Sequence, residues 1–217
     1  MSNAEQPSAP RPPWRNLFGE DALRRLLRVA ALGEEERVVW LGKREDHVAV
    51  GLEQVMGRPV EARDALDAIE ERALGLLVAP ELAHELGLDA ALKLARPKLE
   101  TDGVIATVAR VFVGAEVPEP RKAYWDKKQP EAVRSVKAAL ARMAALGFEP
   151  LTCELLKEPE LAEHDRELLS EARRGVRGEA TAEAESGIHH GISLGLVVGR
   201  RVEPGSPPRW PRRGGGE

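Results

Sequence analysis

Glu81 and His84 stand three positions apart in the stretch PELAHEL, a spacing that puts two side chains on one face of a helix. A carboxylate beside an imidazole suits acid/base work, because an ordinary imidazole titrates near neutrality. Exposed residues at the start of a helix account for the same letters. His189 and His190 suggest a metal, yet adjacent residues opening a strand point to opposite faces, and no cysteine or carboxylate cluster lies nearby at ligand spacing. No metal is expected. The single cysteine, Cys153, lies in a predicted strand with no neighbouring histidine, so it reads as a small core residue rather than a nucleophile. It leaves no intramolecular disulfide and no zinc site of the paired-cysteine type. Tyr124–Trp125 is the best aromatic patch, suited either to a substrate lid or to an anchor for a partner chain. Arg209, Arg212 and Arg213 could touch phosphate groups, whereas a solvated tail is the simpler reading.

Composition narrows the classes that could carry this chemistry. The chain has 217 residues, of which 42% are hydrophobic, enough for one domain of moderate size with a real core. Lys and Arg total 32 against 36 Asp and Glu, a net charge of -4, which disfavours a broad nucleic-acid surface. Aromatic residues make up 4%, too few for a base-stacking platform. The N-terminus is polar and Pro-rich, without the apolar stretch of a signal peptide, and no later run approaches the roughly 18–20 apolar residues of a membrane span. A soluble, cytoplasmic protein is expected. Residues 1–15 and 202–217 read as disordered tails around one domain, 16–201.

The elements that must position these residues follow from changes of period. Residues 20–32 carry Leu23, Leu26, Leu27, Ala30 and Ala31 at helical spacing, with Gly33 as a C-terminal stop. Arg37 to Leu41 is a short apolar run ended by Gly42, and residues 46–56 return to helical spacing with Asp46 placed to cap. A weak strand at Val60 to Arg63 leads to Asp64, and Leu74 to Ala79 is a clear strand stopped by Pro80. Leu86 to Ala95 predicts a helix, Gly103 to Phe112 a β-branched strand, Ser135 to Leu146 a helix and Phe148 to Leu156 a strand. A charged helix over 159–174 and a last strand over Ile188 to Val198 complete the pattern. The sum is an α/β sheet, mainly parallel, with helices on both faces. Ligands of such sheets bind beyond the carboxyl ends of the strands, which singles out the loops after Leu41 and Ala79.

The register RVVWLGKREDHVAVGLEQV resembles the first strand, glycine-rich turn and first helix of the class I S-adenosylmethionine-dependent methyltransferases of small-molecule type, and the resemblance extends over most of residues 20–200. In that family the strand carries an acidic residue followed by three alternating glycines. Here the acidic position is Trp40, the first glycine is Gly42, and the other two fall on Arg44 and Asp46. The stretch Val60 to Leu66 resembles the third strand with its Asp-Ala pair near the adenine, Asp64 and Ala65. An alternative register makes Val60 to Arg63 the second strand, with Asp64 or Glu61 as the carboxylate that accepts from the ribose hydroxyls. Either way the sheet is one βα unit short. LGLLVAPELAHEL resembles the fourth strand and its loop, with Pro80, Glu81 and His84 at the mouth, and ARPKLETDGVIATVARV resembles the fifth. AYWDKKQPEAVRSVKAALARMAALGFEP resembles a substrate-side insert, helix and sixth strand. GISLGLVVGRR is similar to the closing antiparallel strand.

The resemblance implies a Rossmann-like methyltransferase sheet with an antiparallel last strand. It implies S-adenosylmethionine as cofactor if binding is retained, held around Gly42, Lys43, Asp64 and Ala65. Glu81 and His84 are the catalytic candidates, and Tyr124, Trp125 and Arg134 the substrate or partner candidates. Methyl transfer needs mainly in-line positioning, so no fixed catalytic residue is demanded. Two functions remain open: transfer to a small-molecule acceptor through an altered turn, or an inactive relative serving as a binding, regulatory or oligomerisation module. In the second case a homodimer or another protein partner would use the Tyr124–Trp125 segment.

Overall fold

A computed structural model of the chain describes residues 13–44, 46–113, 119, 123–124, 127, 134–175, 178, 181–182 and 192–203. Short apolar runs form the centre of the sheet: β1 (Val38–Leu41), β2 (Glu61–Arg63), β3 (Leu74–Val78) and β4 (Leu99–Phe112), all parallel. After them come the two-residue β5 (Arg134–Ser135), β6 (Phe148–Leu155) and β7 (Ile192–Arg201). These described strands form one seven-stranded sheet in the order β2-β1-β3-β4-β7-β6, with β5 paired in parallel to the end of β4. β7 runs antiparallel to both neighbours. This is the mainly parallel sheet with an antiparallel last strand that the sequence predicts.

The helices cover both faces because strand residues alternate in direction. On one face α1 (Glu20–Ala30) and α2 (His47–Met56) pack Leu23, Leu26, Val48 and Leu52 over Val38, Trp40, Leu76 and Val78. On the other, α3 (Pro80–Leu86), α4 (Leu88–Ala95) and α5 (Val136–Ala145) pack Ala83, Leu92 and Met143 over Val39, Leu77 and Ile105. A further helix, α6 (Glu158–Arg173), precedes β7. β2 pairs directly with β1, Val39 opposite Glu61 and Leu41 opposite Arg63. In a doubly wound sheet the strand beside the first on this side is the second in order. Val60 to Arg63 therefore takes the second strand's place, and among the described residues no strand lies outside it.

Several boundaries differ from expectation for local reasons. α1 ends at Ala31, held at φ 51, before Gly33 is reached. The helix predicted from Leu86 begins at Leu88 as α4, and a separate helix, α3, precedes it: Pro80 suits the first turn of α3, and Gly87 at φ 83 breaks the chain before α4. β4 starts at Leu99, earlier than Gly103. At Gly103 a Cβ would stand 2.5 Å from the Leu74 carbonyl oxygen, so only glycine allows the two strands to converge there. β7 continues to Arg201, while residues 188–191 of the predicted strand lie outside the described residues. The 3-10 helix Pro13–Phe18 buries Trp14, Leu17 and Phe18, so the core extends into the stretch read as an N-terminal tail.

Candidate functional site

The carboxyl ends of β2, β1 and β3 form one rim, and five of the six cofactor and catalytic candidates sit on its loops or first helical turn. The Gly42 N–H donates to the Arg63 carbonyl at 2.8 Å, which brings Gly42 and Lys43 alongside Asp64 and Ala65. Lys43, Asp64 and Ala65 are exposed. Glu81 lies in the first turn of α3, beyond the end of β3, and is also exposed; His84 follows one turn later.

The β1–α2 turn is organised by residues of its own chain. Trp40 is buried at 2% exposure, and its Nε1–H donates to the Lys43 carbonyl at 3.1 Å, so the indole lies beneath the turn that follows it. Gly42 adopts φ 150, and a Cβ there would stand 2.8 Å from Trp40 Nε1. The glycine is required twice over, by its dihedral and by the indole. Asp46 caps α2: Oδ1 accepts from the Val48 N–H at 2.9 Å, and Oδ2 pairs with the Arg15 guanidinium at 3.0 Å. The imidazole of His47 approaches the same carboxylate at 3.1 Å. The positive end of the helix, an anion site in many sheets of this class, thus already holds a carboxylate. Behind Trp40 stands Trp14, ring centroids 6.3 Å apart and tilted by 48°, itself edge-on to Phe18 at 6.0 Å.

Glu81 faces this cluster. Partial burial raises its carboxyl above the ordinary range, the negative charges of Glu85 and Asp46 add to the rise, and Arg15 opposes it. His84 is engaged by Arg110 of β4, whose guanidinium donates to the His84 carbonyl at 2.8 Å and stands 3.0 Å from Nε2. A guanidinium only donates, so Nε2 accepts and the ring proton is on Nδ1. Buried Thr107 ties the same helix to β4, its hydroxyl donating to the Ala79 carbonyl at 2.7 Å and accepting from the Ala83 N–H at 3.2 Å.

Arg134 pairs through its backbone with Val111, placing β5 at the carboxyl end of β4. Tyr124 is helical and half-buried, while Trp125, His189, His190, Arg209, Arg212 and Arg213 lie outside the described residues. Cys153 is half-buried, and burial pushes its thiol up to about 11, with Glu154 adding to the shift. Among the described residues, no group of three His, Cys, Asp or Glu could hold a metal ion, and no helix is long and apolar enough to cross a membrane. The sequence reasoning missed Trp14, Arg15, Thr107 and Arg110. Arg110 was signalled by a lone cation inside the apolar run GVIATVARVF. Trp14 and Arg15 were hidden by the prolines around them.

No family model matches the chain, and no curated protein matches it. Solved structures do. A geranyl diphosphate methyltransferase in complex with GPP and sinefungin is 18% identical, with 84% of this chain and 77% of that chain covered and a TM-score of 0.57. An S-adenosylmethionine-dependent methyltransferase from Geobacter sulfurreducens, in complex with S-adenosylhomocysteine, is 15% identical over 85% of this chain and 92% of that one, TM-score 0.55. The cyclase SpnF is 15% identical over 90% and 85%, TM-score 0.54. The chain has the class I S-adenosylmethionine-dependent methyltransferase fold. At these identities the likeness is one of fold.

Proposed function

We propose that this is a methyltransferase-like protein whose cofactor site is degraded on the methionyl side, and that it serves as a binding module rather than a methyl-transfer enzyme. The observation that carries the reading is the Trp40 indole, buried beneath the Gly42 turn and hydrogen-bonded to the Lys43 carbonyl. The family's glycines let a cofactor's methionyl part approach this turn; here Gly42 is committed to the indole, Arg44 replaces the second glycine, and Asp46 places a carboxylate on the α2 N-terminus. An added carboxylate would meet like charge there. The residues present therefore do not fit that half of S-adenosylmethionine. The nucleoside side is different: Asp64 follows β2 directly, exposed beside Gly42, where its oxygens can accept from a ribose.

Retained methyl transfer is the second reading, favoured by Asp64 and by Glu81 and His84 at the next strand end. In that case the cofactor supplies an electrophilic methyl group, and the chain's residues only orient a small-molecule acceptor and exclude water. Calorimetric titration with S-adenosylmethionine and with adenosine separates the two. The binding-module reading expects no heat from S-adenosylmethionine at millimolar concentration. Stoichiometric binding in the micromolar range overturns it and supports the enzyme.

A further inference from the structure

The 3-10 helix Pro13–Phe18 is seated in the domain and reaches the β1–α2 turn through two side chains, Trp14 and Arg15. Trp14 is 3% exposed, Leu17 6% and Phe18 2%, so the segment is seated in the body by three apolar anchors. It packs against α1, α6 and β7. Two of its side chains then reach the rim. Trp14 backs the Trp40 indole, and Arg15 bonds to Asp46, whose side chain is only 15% exposed. The Arg15 charge also lowers the Glu81 carboxyl weakly, the smallest of the influences on it.

We propose that Pro13–Phe18 is an autoinhibitory strap: it keeps the Trp40 indole wedged under the Gly42 turn and latches α2 through Arg15, so that this turn yields to a ligand only when the strap lifts. This rests on the reading that the rim is a ligand site, and it adds what holds that site shut. Lifting the latch alone is a small perturbation, since the Arg15–Asp46 pair is partly solvated and such pairs hold weakly. Lifting the wedge is a large one, because Trp14 is a full anchor of the core. The two together give the strap a graded release.

The test uses the full chain as wild type, Arg15→Ala and Trp14→Ala, with hydrogen exchange and with adenosine, which lacks the carboxylate that Asp46 would repel, as the probe. Arg15→Ala is expected to speed amide exchange at residues 42–48 about two- to fivefold while β3 and β4 keep their protection, and to bind the probe more tightly than wild type by a similar factor. Trp14→Ala is expected to exceed it on both readouts. Unchanged exchange at 42–48 overturns the strap. So does equal speeding across the whole sheet, which would make the segment ordinary core, or equal probe affinity in wild type and Arg15→Ala, no heat from either included. Micromolar binding of S-adenosylmethionine by wild type would refute the degraded-site reading, while the adenosine affinity ratio between wild type and Arg15→Ala would still judge the strap.

Discussion

Replacing Gly42 by alanine asks whether that glycine serves the indole or a ligand. At φ 150 an L residue is strained, a cost of order 1–3 kcal/mol. The new methyl would also stand 2.8 Å from Trp40 Nε1, and forcing a methyl into packed space costs about 1–3 kcal/mol more. Together these predict a loss of about 2–6 kcal/mol. For a chain of this length each kcal/mol moves the melting temperature by roughly 2–4 °C, so thermal unfolding followed by circular dichroism should show a drop of about 4–24 °C. The same change in a Trp40→Phe background separates the two costs. Phenylalanine lacks the pyrrole nitrogen that the methyl would strike, so only the dihedral cost remains and the pair should couple by about 1–2 kcal/mol. A drop below about 2 °C, or an equal drop in both backgrounds, refutes the account.

Arg201→Met should destabilise by about 2–4 kcal/mol in urea unfolding, because the 3% exposed guanidinium serves the carbonyls of Leu99 and Arg96, and the buried Leu99 carbonyl would lose that donor. Glu81→Gln should flatten the pH dependence of stability. A carboxyl whose folded value is raised favours the folded state while protonated and loses that contribution as pH climbs from the ordinary value of 4.5 through the raised one, so the variant should be equal to or more stable than wild type at neutral pH. Glu61→Gln should do the opposite. Its bonds to Arg37 hold the folded carboxyl below the ordinary range, so wild type gains stability above that range and loses it as pH falls through the lowered value; urea midpoints at acid and neutral pH read both. The Cys153 thiol, pushed up to about 11, should react with a disulfide reagent at pH 8 at least tenfold more slowly in the native protein than in urea, order of magnitude set by its thiolate fraction.

The sheet was legible because its strands are apolar runs bounded by turn residues, and Asp46 is read correctly as a helix cap by local chemistry alone. Gly87 was harder: nothing in HELGLDAAL distinguishes a tolerated helix glycine from a break, and the decision comes from the packing of α3 and α4 over β4. The place of Val60 to Arg63 in the sheet was also undetermined, since a three-residue strand carries too little pattern to name its neighbour. At the rim, Trp40 stood out as a substitution in a resembling motif, but what it does there depends on Trp14, 26 positions upstream and brought near only by the fold. Ring-to-ring contact of that kind leaves no local period to read.

The unequal lengths of the ladders bear on how the molecule opens. β4 and β7 are zipped from Val104 opposite Arg200 to Phe112 opposite Ile192, whereas β1 holds β2 only from Val39 to Leu41. Local opening follows the ladder with the fewest bonds and least buried side chains, and β2 is half exposed along its length. β2 is therefore the strand expected to open first, and Asp64 follows it directly. A ligand that bridged Asp64 to the Gly42 turn would act as the missing outer strand does in a wider sheet, raising the protection of β2 far more than that of β4, so the chain's own exchange pattern becomes a detector for whatever binds it.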